Sequence, residues 1–101
     1  MIMQRVKFRS KQKRDALWAV ARDREGEYRK VPGLLQKFYV EFNEPNTYGG
    51  YLIWDSMASL AAFRETELSK TIAAAYGVDG APDVEVGTIE IVLHDSVMVA
   101  A

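Results

Sequence analysis

The 101-residue chain contains no cysteine and a single histidine, His94, and these shortages exclude several kinds of site. A chain without cysteine has no disulfide, no thiolate nucleophile and no cysteine-bound metal. A zinc or haem site built from several histidines is excluded as well, unless a partner chain contributes a second set of ligands. No metal site is therefore expected, and any chemistry falls to the aromatic side chains, to arginine and to His94.

An excess of charge of one sign and long apolar runs are also missing. Thirteen lysines and arginines face fourteen acidic residues, and the net charge of −1 offers no basic field for nucleic acid or an anionic membrane. No apolar run approaches the roughly 18 residues that span a bilayer, and the first residues lack a signal-peptide pattern. With 49% hydrophobic and 27% charged residues, the composition is that of a soluble globular protein. We expect one cytoplasmic domain over residues 1–101, with a core of modest size.

The spacing of apolar residues and turn residues predicts the element order βαββαβ. The predicted strands lie at residues 2–8, 34–42, within 47–56, and 84–94. Ser10 and Ser56 stand where helix N-caps are expected, and a change in the alternation at Gly87 indicates a β-bulge. Right-handed crossovers place both helices on one face of a four-stranded antiparallel sheet, which is the ferredoxin-like α+β fold.

The second and third predicted strands carry apolar residues on both faces, although two helices cover only one face. Strand parity assigns these side chains to the uncovered face: Met3, Leu35, Lys37, Tyr39, Tyr51 and Ile53. Such a face is too apolar for water, so we expect a second copy of the chain to cover it in a C2 homodimer. Gly49 and Gly50 either serve the hairpin or let another backbone come close. The apolar segment at residues 95–101 is expected to dock on another surface.

Four sequence features together resemble a known family. They are the βαββαβ order, "VPG" before the second strand, "GGYLIWDS" leading into a capped helix, and the β-rich "VEVGTIEIVLH". Over about residues 2–96 the chain is similar to the dimeric α/β-barrel superfamily, and most similar to the YdhR-type proteins assigned as mono-oxygenases beside the antibiotic-biosynthesis mono-oxygenases. The resemblance implies a dimer whose sheets face each other, with a pocket between each sheet and its own helices. It also implies oxidation of quinols, anthrones or similar electron-rich aromatics by O₂, with no metal or flavin.

Cofactor-free oxygenation requires a base, a dry pocket and hydrogen bonds to the developing negative oxygen, because the substrate itself supplies the electrons. His94 is the candidate base, because histidine is the residue type suited to proton transfer near neutral pH; the alternative is an exposed histidine at the end of the fourth strand. Trp54 is the second candidate catalytic residue, since its indole N–H can donate a hydrogen bond to a substrate oxygen. The alternative is that Trp54 fills the core.

Five further residues are expected to bind the substrate: Trp18, Phe38, Tyr39, Tyr51 and Arg64. Trp18 flanks the apolar stripe of the first helix and either fills the core or stacks on a planar substrate. Tyr39 and Tyr51 are candidate hydrogen-bond donors or packing residues of the dimer face. Arg64 lies on the apolar stripe of the second helix, where it either extends to the edge of the fold or holds an oxyanion or a carboxylate.

The sequence is compatible with three functions of different classes. The first is a cofactor-independent mono-oxygenase that acts on a small aromatic or quinol-like molecule. The second is a non-catalytic dimeric module that binds a small apolar molecule or scaffolds another protein. A third, a haem-handling role, is disfavoured by the scarcity of histidine. Oxygen uptake in the absence of flavin and metal distinguishes the first function from the other two.

Overall fold

The computed structural model describes residues 1–94 and contains a four-stranded sheet packed under helices. The elements, in chain order, are β1 Ile2–Ser10, α1 Arg14–Arg29, β2 Leu34–Glu41, β3 Thr47–Trp54, α2 Met57–Arg64, α3 Glu67–Lys70, α4 Ile72–Ala75 and β4 Val78–Thr88. The strand order is β2-β3-β1-β4, and all neighbouring strands are antiparallel. The predicted ferredoxin-like α+β fold is therefore confirmed. The docking predicted for residues 95–101 lies outside the described residues.

The two predicted helix caps have different outcomes. Ser56 is the N-cap of α2, and its side chain accepts a hydrogen bond from the backbone N–H of Ser59. Ser10, however, is the last residue of β1, where its hydroxyl is buried and donates to the carbonyl oxygen of Tyr76 at 2.6 Å. The prediction of a cap at Ser10 is wrong because this hydroxyl ties β1 to the end of α4, and α1 begins later, after Lys13.

A β-bulge in β2 reverses the predicted orientation of that strand. The pairing with β3 shifts between Leu34 and Gln36, so that Lys37 lies opposite Leu52 and Tyr39 lies opposite Gly50. Directly opposed residues of an antiparallel pair point to the same face of the sheet, and this face of β3 is the one under the helices. The prediction that Lys37 and Tyr39 point away from the helices is therefore wrong, because one extra residue in a strand exchanges its two faces.

β4 also differs from its predicted position. It begins at Val78, so that "VDGAPD" belongs to the strand, and Ile91 lies beyond its end and is exposed. The register against β1 shifts between Lys7 and Arg9, where β1 faces the glycine- and proline-containing part of β4. The predicted bulge at Gly87 is wrong, since Gly87 lies within the regular part of the ladder.

Two apolar clusters fill the space between the sheet and the helices. One contains Trp54, Leu60 and Phe63, and the rings of Trp54 and Phe63 lie 5.4 Å apart. The other contains Phe8 and Leu17, which join β1 to α1. Trp54 and Leu60 are fully buried, so they form the centre of the first cluster. None of the helices in residues 1–94 is long and apolar enough to cross a membrane.

The glycine pair lies within β3 rather than in the hairpin turn. A Cβ atom on Gly49 would lie 1.8 Å from the carbonyl oxygen of Val6 in β1, and one on Gly50 would lie 2.5 Å from that of Phe38 in β2. These distances are far below van der Waals contact. Of the two roles considered for the pair, close approach of neighbouring backbones is the one observed, and it brings three strands together beneath the helices.

Candidate active site

A cavity of about 400 Å³ lies between the sheet and its helices, and both apolar clusters contribute to its wall. Its apolar lining includes Phe8, Leu17, Trp18, Leu52, Phe63 and Ile72. Gly50 also lines it, and the missing side chain there adds room above the sheet. A volume in this range is typical of sites for small organic molecules, and the aromatic walls suit a planar one.

Lys37 is a cationic side chain inside this cavity. Its Nζ lies 3.4 Å from the ring centroid of Tyr28 and 4.7 Å from that of Tyr39. Within residues 1–94, no aspartate or glutamate lines the cavity and no carboxylate forms an ion pair with Lys37. Burial, with a smaller contribution from the positive charge of Arg24, lowers the pKa of Lys37 to about 7.

The two tyrosine rings act on Lys37 in the opposite direction, because an aromatic face attracts an ammonium ion. They hold the side chain in place and solvate the charged form once it has taken a proton. Lys37 is therefore an amine that is largely neutral above pH 7 and whose conjugate acid has a prepared position. Those are the properties of a general base for an acidic organic proton.

Gln4 supplies a hydrogen-bond donor on the wall of the cavity. It is buried in β1 beside Leu52, and its Oε1 accepts a hydrogen bond of 3.0 Å from the indole N–H of Trp54. An indole nitrogen only donates, so this contact sets the orientation of the amide and leaves its NH₂ group for the cavity. A fixed, neutral donor of this kind can stabilise a negative oxygen as it develops on a bound molecule.

Three tyrosines surround the same space and stay protonated at neutral pH. Burial raises the pKa of Tyr28 to about 12, and it raises the pKa of Tyr39 and Tyr76 as well. The hydroxyl of Tyr76 is buried and has no hydrogen-bond partner among the described residues. A buried hydroxyl without a hydrogen bond destabilises the fold. A ligand with a polar atom beside Tyr76 would supply the missing hydrogen bond and bind more tightly for that reason.

The structure brings some of the sequence-predicted site residues together and separates others. Trp18, Tyr39 and Arg64 line the cavity, and Trp18 packs edge-on against Tyr48 at 5.7 Å. His94 is exposed in a bend beyond β4 and does not line the cavity.

Three more of the predicted site residues lie away from the lining. Trp54 is fully buried beneath α2, where it contacts two residues of the cavity wall: it donates a hydrogen bond to Gln4 and packs on Phe63. Phe38 and Tyr51 oppose each other on the far face of the sheet, on the side away from the cavity.

Sequence reasoning missed Lys37, Gln4, Tyr28 and Tyr76 as site residues. The strand "LLQKFYVEF" contains a signal for Lys37, because the adjacent Leu34 and Leu35 break the alternation where the bulge occurs. Nothing comparable marks Gln4, whose role depends on a contact with Trp54, 50 positions away in the chain.

Comparisons with known proteins place the fold. No protein-family model matches the sequence, and no curated protein matches it either. Among solved structures, a protein of unknown function from Nitrosomonas europaea is similar at 16% identity, over 94% of both chains, with a TM-score of 0.78. A protein from Caulobacter crescentus CB15, provisionally named as an antibiotic biosynthesis monooxygenase, is 22% identical over 88% of this chain and 90% of its own, with a TM-score of 0.73.

SnoaB, a cofactor-independent oxygenase from Streptomyces nogalater, is similar as well, at 12% identity over 91% of this chain and 95% of its own, with a TM-score of 0.74. Identities this low establish the fold and carry no substrate or activity with them. The chain therefore has the fold of the antibiotic biosynthesis mono-oxygenases, which is the fold that the sequence resemblance implied.

Proposed function

We propose that this protein is a cofactor-independent mono-oxygenase that oxidises an electron-rich aromatic, quinol-like molecule with O₂. One observation carries the proposal: the half-buried amine of Lys37 lies in an aromatic cavity that no carboxylate of residues 1–94 lines. The likeness in fold to a cofactor-independent oxygenase supports the reaction class without establishing it. Such an enzyme needs a base in a dry pocket, and Lys37 has both the position and the lowered pKa for that role.

The first step is removal of the phenolic proton by the neutral amine of Lys37. A phenol has a pKa of about 10, and the ammonium–phenolate pair formed in a dry cavity is stabilised by its own attraction and by the ring faces of Tyr28 and Tyr39. The phenolate then transfers one electron to O₂, which forms superoxide and a substrate radical. These two combine with formation of a carbon–oxygen bond at the ring carbon para to the phenolic oxygen.

The second half of the reaction returns every proton. The peroxide anion on the para carbon takes the proton from Lys37 and becomes a hydroperoxide. The neutral amine of Lys37 then removes the hydrogen from that carbon, and the O–O bond breaks as the second carbonyl group forms. The departing hydroxide takes the proton back from Lys37 and leaves as water. For 1-naphthol the sum is 1-naphthol plus O₂ to 1,4-naphthoquinone plus water, so one oxygen atom enters the product. The NH₂ group of Gln4 and the hydroxyl of Tyr76 are the donors for the developing oxygen anions.

Oxygen uptake with 1-naphthol, without flavin and with a metal chelator present, is the direct test. We expect one quinone for each O₂ consumed and no hydrogen peroxide, so that added catalase returns no oxygen. Peroxide formed in equal amount with the oxidised product would contradict mono-oxygenation. A complete lack of uptake across naphthols and hydroquinones that bind to the protein would favour the non-catalytic binding module.

The rate of that reaction is expected to rise with pH. The base works in its neutral form, and burial lowers the pKa of Lys37 from 10.5 to about 7. We therefore expect kcat/KM to rise with pH through a midpoint near 7 and to fall about tenfold for each pH unit below it. A profile that is flat between pH 5 and 9 would remove Lys37 from the role of base.

We further propose that the chain forms a homodimer through the face of the sheet that the helices leave open. By strand alternation, the half of this face formed by β2, β3 and the start of β1 is apolar and contains Met3, Phe38, Val40, Tyr51 and Ile53. The half towards β4 is charged: Arg5 of the inner strand β1 pairs with Asp83 of β4 at 3.1 Å, and Lys7 of β1 pairs with Glu44. Apolar residues beside charged ones are the composition of a protein interface, and two-fold symmetry allows a second copy of the same face to cover the apolar half.

Sedimentation at micromolar concentration is expected to give twice the 11.4 kDa of one chain. Ile53→Glu introduces a charge among the apolar residues of the open face and is expected to give a monomer. The matched control is Met57→Glu, because Met57 is an exposed apolar residue at the start of α2, away from this face. A wild-type monomer at these concentrations, or equal behaviour of both variants, would contradict the proposed interface.

A further inference from the structure

Among the described residues, every charged side chain that lines the cavity is a cation. Lys37 lies inside, whereas Arg64 at the end of α2 and Lys70 at the end of α3 are exposed, so that their charged groups reach water at the mouth of the cavity. No aspartate or glutamate of the described part of the chain belongs to the lining. An apolar interior with positive charge at its opening is the arrangement that selects an amphipathic anion.

The acidic residues nearest in sequence do not neutralise this mouth. Glu65 and Glu67 separate Arg64 from Lys70 along the chain, but both are exposed and neither lines the cavity. Among the described residues, neither Arg64 nor Lys70 forms an ion pair. The two cations are therefore available to an anion that a ligand brings.

A third cation orders the chain at this end of the cavity. The Nη2 of Arg24 donates hydrogen bonds to the carbonyl oxygen of Leu68, at 2.6 Å, and to the hydroxyl of Thr71, at 3.0 Å. These contacts tie α1 to the segment that joins α3 and α4, next to Lys70. They fix the backbone on which that side of the mouth is built, and they add positive charge behind it.

We propose that the cavity binds an aromatic hydroxy acid, with its carboxylate held at the mouth by Arg64 and Lys70 and its rings in the apolar interior. This inference rests on the proposed function and names the substrate class of the same site. The orientation follows from solvation, because burying a carboxylate among Phe8, Leu17 and Phe63 would be costly, whereas at the mouth it keeps water and gains two cations. The phenolic end then enters first and meets Lys37.

Binding measured without oxygen tests the acid preference apart from any turnover. The probes are 5-hydroxy-1-naphthoate and its neutral amide, which share shape and phenol and differ only in charge, and the readout is intrinsic tryptophan fluorescence, since Trp18 lines the cavity. We expect the acid to bind roughly threefold to tenfold more tightly than the amide at low salt, the range for contacts with exposed cations. The preference is expected to shrink in high salt, because these charges are screened.

The double variant Arg64→Gln and Lys70→Gln is expected to bring the acid and the amide to equal affinity while leaving the affinity for the amide unchanged. The matched control is Arg22→Gln with Lys30→Gln, which removes the same charge from exposed positions outside the lining. An equal affinity of acid and amide for the wild type, or a preference that survives in the double variant, would overturn the proposal.

The outcomes of the two proposals are separable. If the acid preference fails, oxidation of the uncharged 1-naphthol and its dependence on Lys37 are unaffected. If oxygenation fails, the preference for the acid, measured without oxygen, still reports on Arg64 and Lys70.

Discussion

Replacing Lys37 by methionine is expected to lower kcat/KM for oxygenation of 1-naphthol by at least about 100-fold, the usual contribution of a general base. Methionine matches the length of the lysine stem and fills the same space between Tyr28 and Tyr39, so that the cavity keeps its shape. The measurement is single-substrate kinetics by oxygen uptake at pH 8, where the wild-type amine is mostly neutral. A variant that keeps more than about a tenth of the wild-type rate would contradict the assignment.

Lys37→Arg distinguishes the base from a mere positive charge. A guanidinium keeps the charge over the tyrosine rings but stays protonated at every accessible pH. We expect this variant to be as inactive as the methionine variant. An active arginine variant would mean that position 37 stabilises an anion rather than accepting a proton.

The stability of the Lys37→Met variant is the control for folding. The pKa of Lys37 determines whether this substitution raises or lowers the free energy of unfolding. Burial lowers this pKa from 10.5 in the unfolded chain to about 7, so the unfolded chain binds more protons between these two values. The cost to folding is complete below pH 7 and disappears as the pH rises towards 10.5. Removing the amine is therefore expected to raise the free energy of unfolding at pH 6–7, by on the order of 2 kcal/mol after loss of the ring contacts.

Replacing Trp54 by alanine is expected to lower the free energy of unfolding by about 3–5 kcal/mol, as for other large aromatic residues in cores. Trp54 has no exposed surface, packs on Phe63, and is the hydrogen-bond partner of Gln4. The loss is a large share of the roughly 5–15 kcal/mol that holds a domain folded. Urea unfolding followed by circular dichroism measures it, and a stability equal to that of the wild type would contradict the core position.

Trp54→Phe tests how Trp54 affects the chemistry. Phenylalanine keeps most of the packing but removes the indole N–H, so the amide of Gln4 loses the contact that sets its orientation. We expect a stability loss of about 1–2 kcal/mol and a fall in kcat of less than about tenfold, with KM unchanged, because the cavity wall is intact. Complete loss of turnover in a folded protein would instead mean that Trp54 contacts the substrate, as the sequence analysis expected of a catalytic residue.

The local signals in the sequence predicted the fold well because each break in the pattern agreed with the others. Ser56 caps α2 as expected, and the glycine pair at 49–50 lets three strands approach. The errors have a common origin in irregular pairing. An extra residue in β2 and a register shift opposite Lys7 change which face a side chain occupies, and both depend on the partner strand.

For the candidate site, sequence reasoning named Trp18 and Arg64 of the helices and Tyr39 of β2 among the cavity-lining residues. It missed four others, which are Gln4, Tyr28, Lys37 and Tyr76. Trp18 and Arg64 were found because helical spacing is read directly from the chain. Lys37 was placed on the wrong face, and Gln4 was overlooked. A polar residue in a strand looks solvated unless the structure shows what covers it.

The sequence by itself determined the βαββαβ order, the exclusion of cysteine chemistry and a sheet whose open face is apolar, because these follow from composition and from local periodicity. Only the tertiary structure decided that Lys37 lies inside the cavity and that His94 lies outside it. The physical reason is that the pKa of a side chain, and the face of the sheet to which it points, depend on the residues that surround it in the folded chain. Burial among Tyr28, Tyr39 and their neighbours turns an ordinary lysine into a candidate base, and those contacts depend on the bulge that sets which face of β2 carries Lys37.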